Sequence, residues 1–232
     1  MSALYRFLDV RYAASTRAYA FTLHSGETKL LQLADKAEKD AIIDFATGGA
    51  ICDEGVVELV QGERRRAKSQ PPKLQEERRR RDVPAPEIWQ SLQKSRAGRV
   101  GWVAANGGMM SNLKIWENVT LPLWYHSNRD AAETEKNVVY WLTRLGLEPS
   151  AFADFMAAQP HNTELWQKKL AGLLRALLQM PRVLVVDAGL FEDVKARLAQ
   201  SWMSALAEYA GQDRAVLVLA DKATVLPWEK IE

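Results

Sequence analysis

The apolar and polar positions in the first quarter of the chain predict short strands around one helix. Apolar residues alternate or cluster over the first two segments, a pattern typical of strands, and a turn at His24–Glu27 follows them. A later segment has apolar residues at helical spacing and is followed by a glycine pair, which is typical of a helix end. The predicted order is strands at Leu4–Tyr12, Ala18–Leu23 and Lys29–Leu33, a helix at Asp35–Thr47 before Gly48 and Gly49, and a strand at Val56–Val60.

The second half of the chain shows helical patterns in turn with short, continuous apolar runs. Runs such as Val183–Val186 and Val216–Ala220 contain β-branched residues and follow helical patterns, as the strands of a buried parallel sheet do. This alternation predicts an α/β fold with right-handed crossovers. The predicted elements are a strand at Arg99–Ala104, helices at Ala131–Leu147, Leu165–Met180 and Glu192–Tyr209, and the two apolar strands.

Residues 63–86 differ in composition from the chain on either side. They are poor in large apolar residues and rich in Arg, Pro and Gln, which predicts an exposed, mobile insertion. The Arg64–Arg66 and Arg78–Arg81 runs could bind acidic lipid or nucleic acid, or could belong to a solvated loop. No aromatic residues are interleaved with them to stack on bases, so no specific nucleic acid partner is predicted.

Composition narrows the class of protein without naming a function. The chain has 232 residues, 47% hydrophobic and 26% charged, with a net charge of +2. These values are ordinary for a soluble globular protein, and the small net charge gives no overall positive potential that would attract nucleic acid. Cys52 is the single cysteine, so an internal disulfide is excluded and a reducing compartment is expected. Charged residues in the first twelve positions argue against a signal peptide, and no apolar run approaches the ~20 residues of a membrane span.

One segment has unusual residue choices over a long stretch. Val100–His126 reads VGWVAANGGMMSNLKIWENVTLPLWYH. It resembles the Q-loop region of ABC ATPases, and is most similar to the ATPases of Mla-type, MCE-linked lipid transporters, where a similar Asn-Gly-Gly and a "WENV-LPL" phrase occur. The spacing of that family agrees from Gly26 to Asp221. The resemblance implies a P-loop NTPase-like ABC ATPase fold with a mixed or parallel sheet core, one domain over residues 1–232 and a helical subdomain at about 107–180.

The resemblance also exposes the loss of the phosphate-binding loop. The family has GxxxxGK[ST] after a strand, where backbone N–H groups close on phosphates, Lys pairs with them and Ser/Thr holds Mg²⁺. The corresponding stretch here runs from Leu33 to Asp40. Lys39 falls on the lysine position, but Leu33 and Glu38 replace the two glycines and Asp40 replaces the hydroxyl residue. Side chains and negative charge therefore replace the phosphate cradle.

The other nucleotide-contacting positions of the family are replaced as well. The signature motif corresponds to Thr163–Gln167, in which only Gln167 is retained. Asp187 ends the Walker B strand, but the general-base glutamate after it is Ala188. In the same frame, the Q-loop glutamine is Ala105 and the switch histidine is Asp221.

These replacements predict a subunit without ATPase activity and without a nucleotide or metal cofactor. Loss of a general base costs about 10²–10⁴ in rate, and loss of the phosphate cradle removes the largest electrostatic contribution. Lys39, Asp40, Gln167 and Asp187 then read either as vestigial nucleotide-binding residues or as inherited residues at a sheet edge. Because ABC subunits pair head to tail and this chain has lost both halves of the composite site, even an intact partner could not complete either site.

The segment that resembles the family most is the one that implies a partner. In the family, the groove beside the Q-loop receives the coupling helix of a membrane permease. Met and Trp suit such an adaptable surface, although they could equally pack under the helical subdomain. The residues predicted to dock on a permease are Asn106, Met109, Met110, Asn112, Trp116 and Trp124.

Three functions remain open at the level of sequence. The first is a non-catalytic ABC-fold subunit, scaffold or regulator, that docks on the permease of an MCE-linked lipid transport system. It implies a cytoplasmic protein held peripherally at the inner membrane by the permease, an MCE-type substrate-binding protein in the same system, and a possible homodimer or heterodimer with an ABC ATPase. The second is a soluble adaptor for acidic ligands that uses the basic insertion, and the third is a divergent but active ATPase.

Overall fold

The computed structural model describes residues 2–12, 17–50, 52, 54–61, 88–91, 100–126, 130–221 and 225–231. In these ranges the chain forms one antiparallel and one parallel sheet, with α-helices packed on the parallel sheet. The basic insertion predicted at residues 63–86 lies outside the described residues. Helices and strands are numbered below in chain order.

The antiparallel sheet is built mainly from the N-terminal region and has the strand order β2-β1-β4-β5. The patterns at the first two strands and at Val56–Val60 predicted three of its members. The fourth, Ile88–Ser91, was not predicted, because four residues with two apolar side chains give no readable period. Its strands are β1 (Ala3–Arg11), β2 (Ala18–His24), β4 (Glu54–Gln61) and β5 (Ile88–Ser91).

The parallel sheet has the strand order β6-β7-β8-β3-β9, and each neighbouring pair in it is parallel. The prediction of a buried parallel sheet is therefore confirmed. The register pairs Leu33 with Asp221 and Asp187 with Leu219, so the carboxyl ends of three strands meet at one edge. The strands are β3 (Thr28–Leu33), β6 (Val100–Val103), β7 (Val183–Asp187), β8 (Ala215–Asp221) and β9 (Glu229–Lys230).

Both faces of the parallel sheet are covered, which explains its continuous apolar runs. Successive side chains of a strand point to opposite faces. Leu184 and Val186 belong to the core formed with the helices, whereas Val183 and Val185 belong to the core formed with the antiparallel sheet and the first helix. The sheet is thus the middle layer of the described fold.

Of the six α-helices in the described residues, four agree with the predicted pattern in position but differ in extent, whereas the second and the fourth were not predicted. They are α1 (Lys36–Thr47), α2 (Ile115–His126), α3 (Ala131–Arg144), α4 (Phe152–Ala157), α5 (Leu165–Gln179) and α6 (Ala196–Ala210). Gly48 has a positive φ of 77° and caps α1 as predicted. Helices α2 to α5 lie between β6 and β7 in the chain, in the region predicted as a helical subdomain.

Two helix predictions were wrong at one end of the helix, and helix α2 was not predicted at all. Helix α6 begins at Ala196 and not at Glu192, because Asp193 has a φ of 55° and the chain before it forms a 3₁₀ turn at Ala188–Phe191. Helix α3 ends at Arg144, three residues before the predicted end, ahead of Gly146 at a φ of 81°. Helix α2 was not predicted as a helix, and it contains Pro122, a residue that usually disfavours a helix interior.

Helix length also bears on the membrane. In the parts of the chain that the structure describes, no helix has both the length and the apolar character that a membrane crossing requires.

Candidate nucleotide site and docking segment

A lysine and two aspartates meet where the carboxyl ends of the parallel strands converge. Lys39 lies in the first turns of α1, Asp187 ends β7 and Asp221 ends β8. The Nζ atom of Lys39 lies 3.3 Å from Oδ1 of Asp187 and 3.5 Å from Oδ1 of Asp221. The structure therefore brings together two of the four residues predicted as vestigial nucleotide-binding residues, with the residue that replaces the switch histidine.

The charge of Lys39 is neutralised by its own chain. Burial lowers the pKa of Lys39, but the carboxylates of Asp187 and Asp221 together outweigh burial, and the pKa lies above its ordinary value. Asp187 is itself nearly buried and also accepts a hydrogen bond of 2.9 Å from the backbone N–H of Gly189. A lysine between two carboxylates is a poor partner for a phosphate, because both charges that flank it repel the anion.

The connection between β3 and α1 is too short to form a phosphate-binding loop. Only Ala34 and Asp35 separate the end of β3 from the start of α1, so Lys36–Asp40 are already helical. Asp35 is the N-cap residue, and its side chain accepts a hydrogen bond of 2.9 Å from the backbone N–H of Glu38. The stretch Leu33–Asp40, compared above with a GxxxxGK[ST] loop, is thus a strand end, a two-residue link and a helix.

A carboxylate of the chain lies at the helix end where a phosphate would bind in a P-loop. Glu38 is 3% exposed, and its Oε2 accepts a hydrogen bond of 2.7 Å from the backbone N–H of Ala34. An anion at a helix N-terminus is stabilised by the free N–H groups and by the helix dipole. Glu38 supplies that anion from within the chain. Asp40, two residues further along α1, is exposed and takes no part in the ion pairs that Lys39 makes with Asp187 and Asp221.

The start of helix α5, which corresponds to the signature motif, is also closed by its own side chains. Glu164 precedes the helix, and its backbone N–H donates a hydrogen bond of 2.9 Å to the side-chain oxygen of Gln167. The indole N–H of Trp166 donates one of 2.6 Å to the Glu164 carboxylate. Gln167, predicted as a vestigial nucleotide contact, therefore caps its own helix.

Ala105, in the loop after β6, lies against Gly189, in the turn after β7 that also contains Ala188. A Cβ atom added to Gly189 would lie 2.9 Å from the Cβ of Ala105, so the loop after β6 touches the turn after β7. Ala188 is 3% exposed and belongs to the core. A methyl group at each position provides neither a proton acceptor nor a metal ligand. Within the described residues, no group of three or more His, Cys, Asp or Glu side chains is placed to hold a metal.

The loop that follows β6, residues 104–114, is called the docking segment below. Its shape depends on Asn118, a fully buried residue that the sequence did not single out. The Asn118 side chain accepts from the backbone N–H of Met110 at 2.7 Å and donates to the carbonyls of Met110, Leu113 and Lys114 at 3.0–3.1 Å. An asparagine inside an otherwise apolar helical phrase was the available signal.

The predicted docking residues divide into exposed and packed ones. Met109 and Trp116 are partly buried against the core formed by the helices. Asn106 and Asn112 are exposed, and Asn106 accepts a hydrogen bond of 3.0 Å from the backbone N–H of Gly108. Met110 and Trp124 are large apolar residues with 42% and 60% of their surface exposed. An exposed Trp on helix α2 is unusual for a residue that only packs.

Comparisons with known proteins identify the fold of the chain. The sequence matches no protein-family model and no curated protein. The structure is similar to an ATP-binding subunit of an ABC transporter, with a TM-score of 0.68, 14% identity, and 94% of this chain and 80% of that chain covered. It is also similar to CbiO1 of Clostridium perfringens, part of the ABC transporter complex CbiONQ, with a TM-score of 0.65, 14% identity and coverage of 98% and 82%.

A third similar structure shows the nucleotide-bound state of such a protein. It is a dimeric ATP-binding cassette in a post-hydrolysis state, bound to ADP and Pi, with a TM-score of 0.64 and 16% identity over 94% of this chain and 88% of that chain. At these identities the likeness shows the fold. The chain has the ABC ATPase fold, as the resemblance of Val100–His126 implied.

Proposed function

We propose that this protein is a non-catalytic ABC-fold subunit that docks on a membrane permease as a scaffold or regulator. The observation that supports the proposal best is the closure of both nucleotide-facing helix ends by side chains of the chain itself. Glu38 lies at the start of α1, and Glu164 with Gln167 lies at the start of α5. An active ATPase leaves both helix ends to the phosphates.

The charges around Lys39 and the start of α1 also disfavour nucleotide binding. Glu38 and Asp35 bond to N–H groups at the start of α1, and Asp187 and Asp221 flank Lys39. A polyphosphate would have to displace Glu38 from a buried position and approach the other carboxylates. The helix dipole favours one anionic charge by only about 0.3–1 kcal/mol, so it cannot offset several like charges nearby.

What remains intact is the docking segment and the helix that follows it. Asn118 fixes the segment with four hydrogen bonds, while Met110 and Trp124 stay exposed. We propose that this surface binds a permease, and that the permease holds the protein at the cytoplasmic face of the inner membrane. By its resemblance to Mla-type ATPases, the system is a lipid transporter with an MCE-type substrate-binding protein. A homodimer or a heterodimer with an ABC ATPase fits the same role.

Two measurements test the proposal. Isothermal titration with Mg-ATP tests the lost site, and we expect no heat beyond that of dilution. Co-expression with the permease of an MCE-linked transport system tests the docking, and we expect co-purification that Trp124→Ala weakens. Mg-ATP turnover that Lys39→Ala abolishes would instead support the divergent ATPase. The adaptor function rests on residues 63–86, which lie outside the described residues.

A further inference from the structure

The docking segment touches helix α5 backbone to backbone. A Cβ atom on Gly172 would lie 2.5 Å from the carbonyl oxygen of Gly107, and a Cβ atom on Gly107 would lie 2.0 Å from the carbonyl oxygen of Lys168. Only glycine fits at either position, since such distances are far below van der Waals contact. The segment is thus placed directly on the helix, with no side chain between them.

Arg175 bonds to the same part of the segment from one turn further along α5. Its Nη1 donates to the carbonyl of Gly108 at 2.9 Å and its Nη2 donates to the carbonyl of Gly107 at 3.1 Å. Gly107 and Gly108 have φ values of 81° and 56°, so both carbonyls turn away from the ordinary hydrogen-bond directions of a strand or helix. The planar guanidinium fork holds both carbonyls at once in a fixed geometry, whereas the ammonium of a lysine is a single point on a flexible chain.

Lys169, also on α5, makes a comparable contact with a second loop. Its side chain is nearly buried, and Nζ donates to the carbonyls of Gly189 and Glu192 at 2.8 Å and 2.6 Å. Among the residues that the structure describes, it forms no ion pair with a carboxylate. Burial of an ammonium without a carboxylate partner is costly, and the two hydrogen bonds to carbonyls offset that cost. The carbonyls belong to the turn after β7, and Gly189 also donates to Asp187.

We propose that Lys169 and Arg175 are positioning residues that fix the docking segment and the turn after β7 on α5 in one arrangement, without a nucleotide. Helix α5 then links the Lys39–Asp187–Asp221 cluster to the docking segment through contacts of the chain alone. That the segment meets a permease rests on the proposed function, whereas the fixed arrangement does not.

Amide hydrogen exchange on the purified full chain tests this proposal. The variants are Arg175→Met and Lys169→Met, and Lys168→Met is the matched control, since it lies beside Lys169 but is half-exposed. Arg175→Met should accelerate exchange about tenfold or more in residues 107–113, and Lys169→Met should do so in residues 189–192. The amides of β8 and α6 should exchange as in the wild type, and the control should change neither segment.

Two results would overturn the proposal. One is that both segments exchange in the folded variants as slowly as in the wild type. The other is a uniform acceleration of exchange at all amides, which indicates that the side chains contribute only to global stability. If Arg175→Met does not fold, Arg175→Lys keeps the charge, removes the fork and gives the same expectation for residues 107–113. If the faster exchange is confined to these two segments but titration shows that the protein binds Mg-ATP, the proposed function is contradicted and the positioning role stands.

Discussion

The ammonium of Lys39 lies 3.3 Å from the carboxylate of Asp187, so the last residue of a buried strand neutralises the lysine that the family resemblance places at the phosphate-binding position. Asp221 completes the neutralisation from the neighbouring strand at 3.5 Å. In this arrangement the lysine stabilises the fold and has no free charge to offer a ligand. The ion pairs lead to two predictions about stability.

Lys39→Met should lower the free energy of unfolding by about 2 kcal/mol, because it leaves the nearly buried carboxylate of Asp187 without its cation. Urea denaturation measures the change. Lys36→Met is the matched control, since Lys36 is exposed in the same helix, and it should change stability by less than about 0.5 kcal/mol. Equal stability of Lys39→Met and the wild type would show that the pair is not coupled to folding.

The same pair predicts a loss of stability at high pH. The pKa of Lys39 is raised in the folded protein, because burial lowers it but the two carboxylates raise it by more. Its contribution is therefore fully present below the unfolded lysine pKa of about 10.4, and is lost as pH rises through the folded pKa. The stability difference between wild type and Lys39→Met should narrow above about pH 10.4. A stability difference that stays constant across this pH range would show that the charge of Lys39 does not contribute to stability.

Glu38→Ala should destabilise the protein by about 1–3 kcal/mol, because the backbone N–H of Ala34 loses its acceptor. Glu38→Gln keeps an acceptor but loses the charge at the helix N-terminus, so we expect a smaller loss of about 0.3–1 kcal/mol. Thermal or urea denaturation distinguishes the two. Asp40→Asn is the control, because Asp40 is exposed, and a loss as large as that of Glu38→Gln would remove the special role of Glu38.

Asn118→Asp should disorder the docking segment, because the side chain keeps its shape but loses the donor that bonds to three carbonyls. The buried carboxylate would face those carbonyls, at a cost of about 2 kcal/mol or more. We therefore expect faster amide exchange at residues 110–114 and a lower free energy of unfolding, which hydrogen exchange and urea denaturation measure. Asn112→Asp, at an exposed position, should change neither. Unchanged exchange in Asn118→Asp would show that the segment is held by other contacts.

Variants of Trp124 and Trp116 distinguish a role in docking from a role in packing. Trp124→Ala should change the free energy of unfolding by no more than about 0.5 kcal/mol, since 60% of its surface is exposed, and should still weaken co-purification with the permease. Trp116→Ala should destabilise the fold itself, because Trp116 packs on the helical core. Full co-purification by a folded Trp124→Ala variant would place the docking surface elsewhere.

The sequence predicted the layers of the fold but not all of its parts. Val183–Val186 and Val216–Ala220 show the parallel sheet plainly, because both faces of each strand are buried. Helix α2 was missed, since Pro122 and the polar side chain of Asn118 break the helical pattern. The start of α6 was misplaced because apolar periodicity does not register the positive φ of Asp193.

The candidate site was predictable only as a list of positions. The family resemblance placed Lys39 and Asp187 in one nucleotide site or at a sheet edge, and the structure brings them together. The resemblance did not reveal that Glu38 is buried against Ala34, because the inward turn of a charged residue depends on the short β3–α1 connection. Nor did it reveal Lys169 or Arg175, whose partners are backbone carbonyls distant in sequence.

The most direct test of the central claim is isothermal titration of the full-length protein with Mg-ATP. With Glu38 at the start of α1 and Lys39 held by Asp187 and Asp221, we expect no heat beyond dilution up to ~1 mM ATP, a range that covers affinities stronger than about −4 kcal/mol. A saturable heat that disappears in the Lys39→Met variant would show that the site binds nucleotide, and would contradict the account.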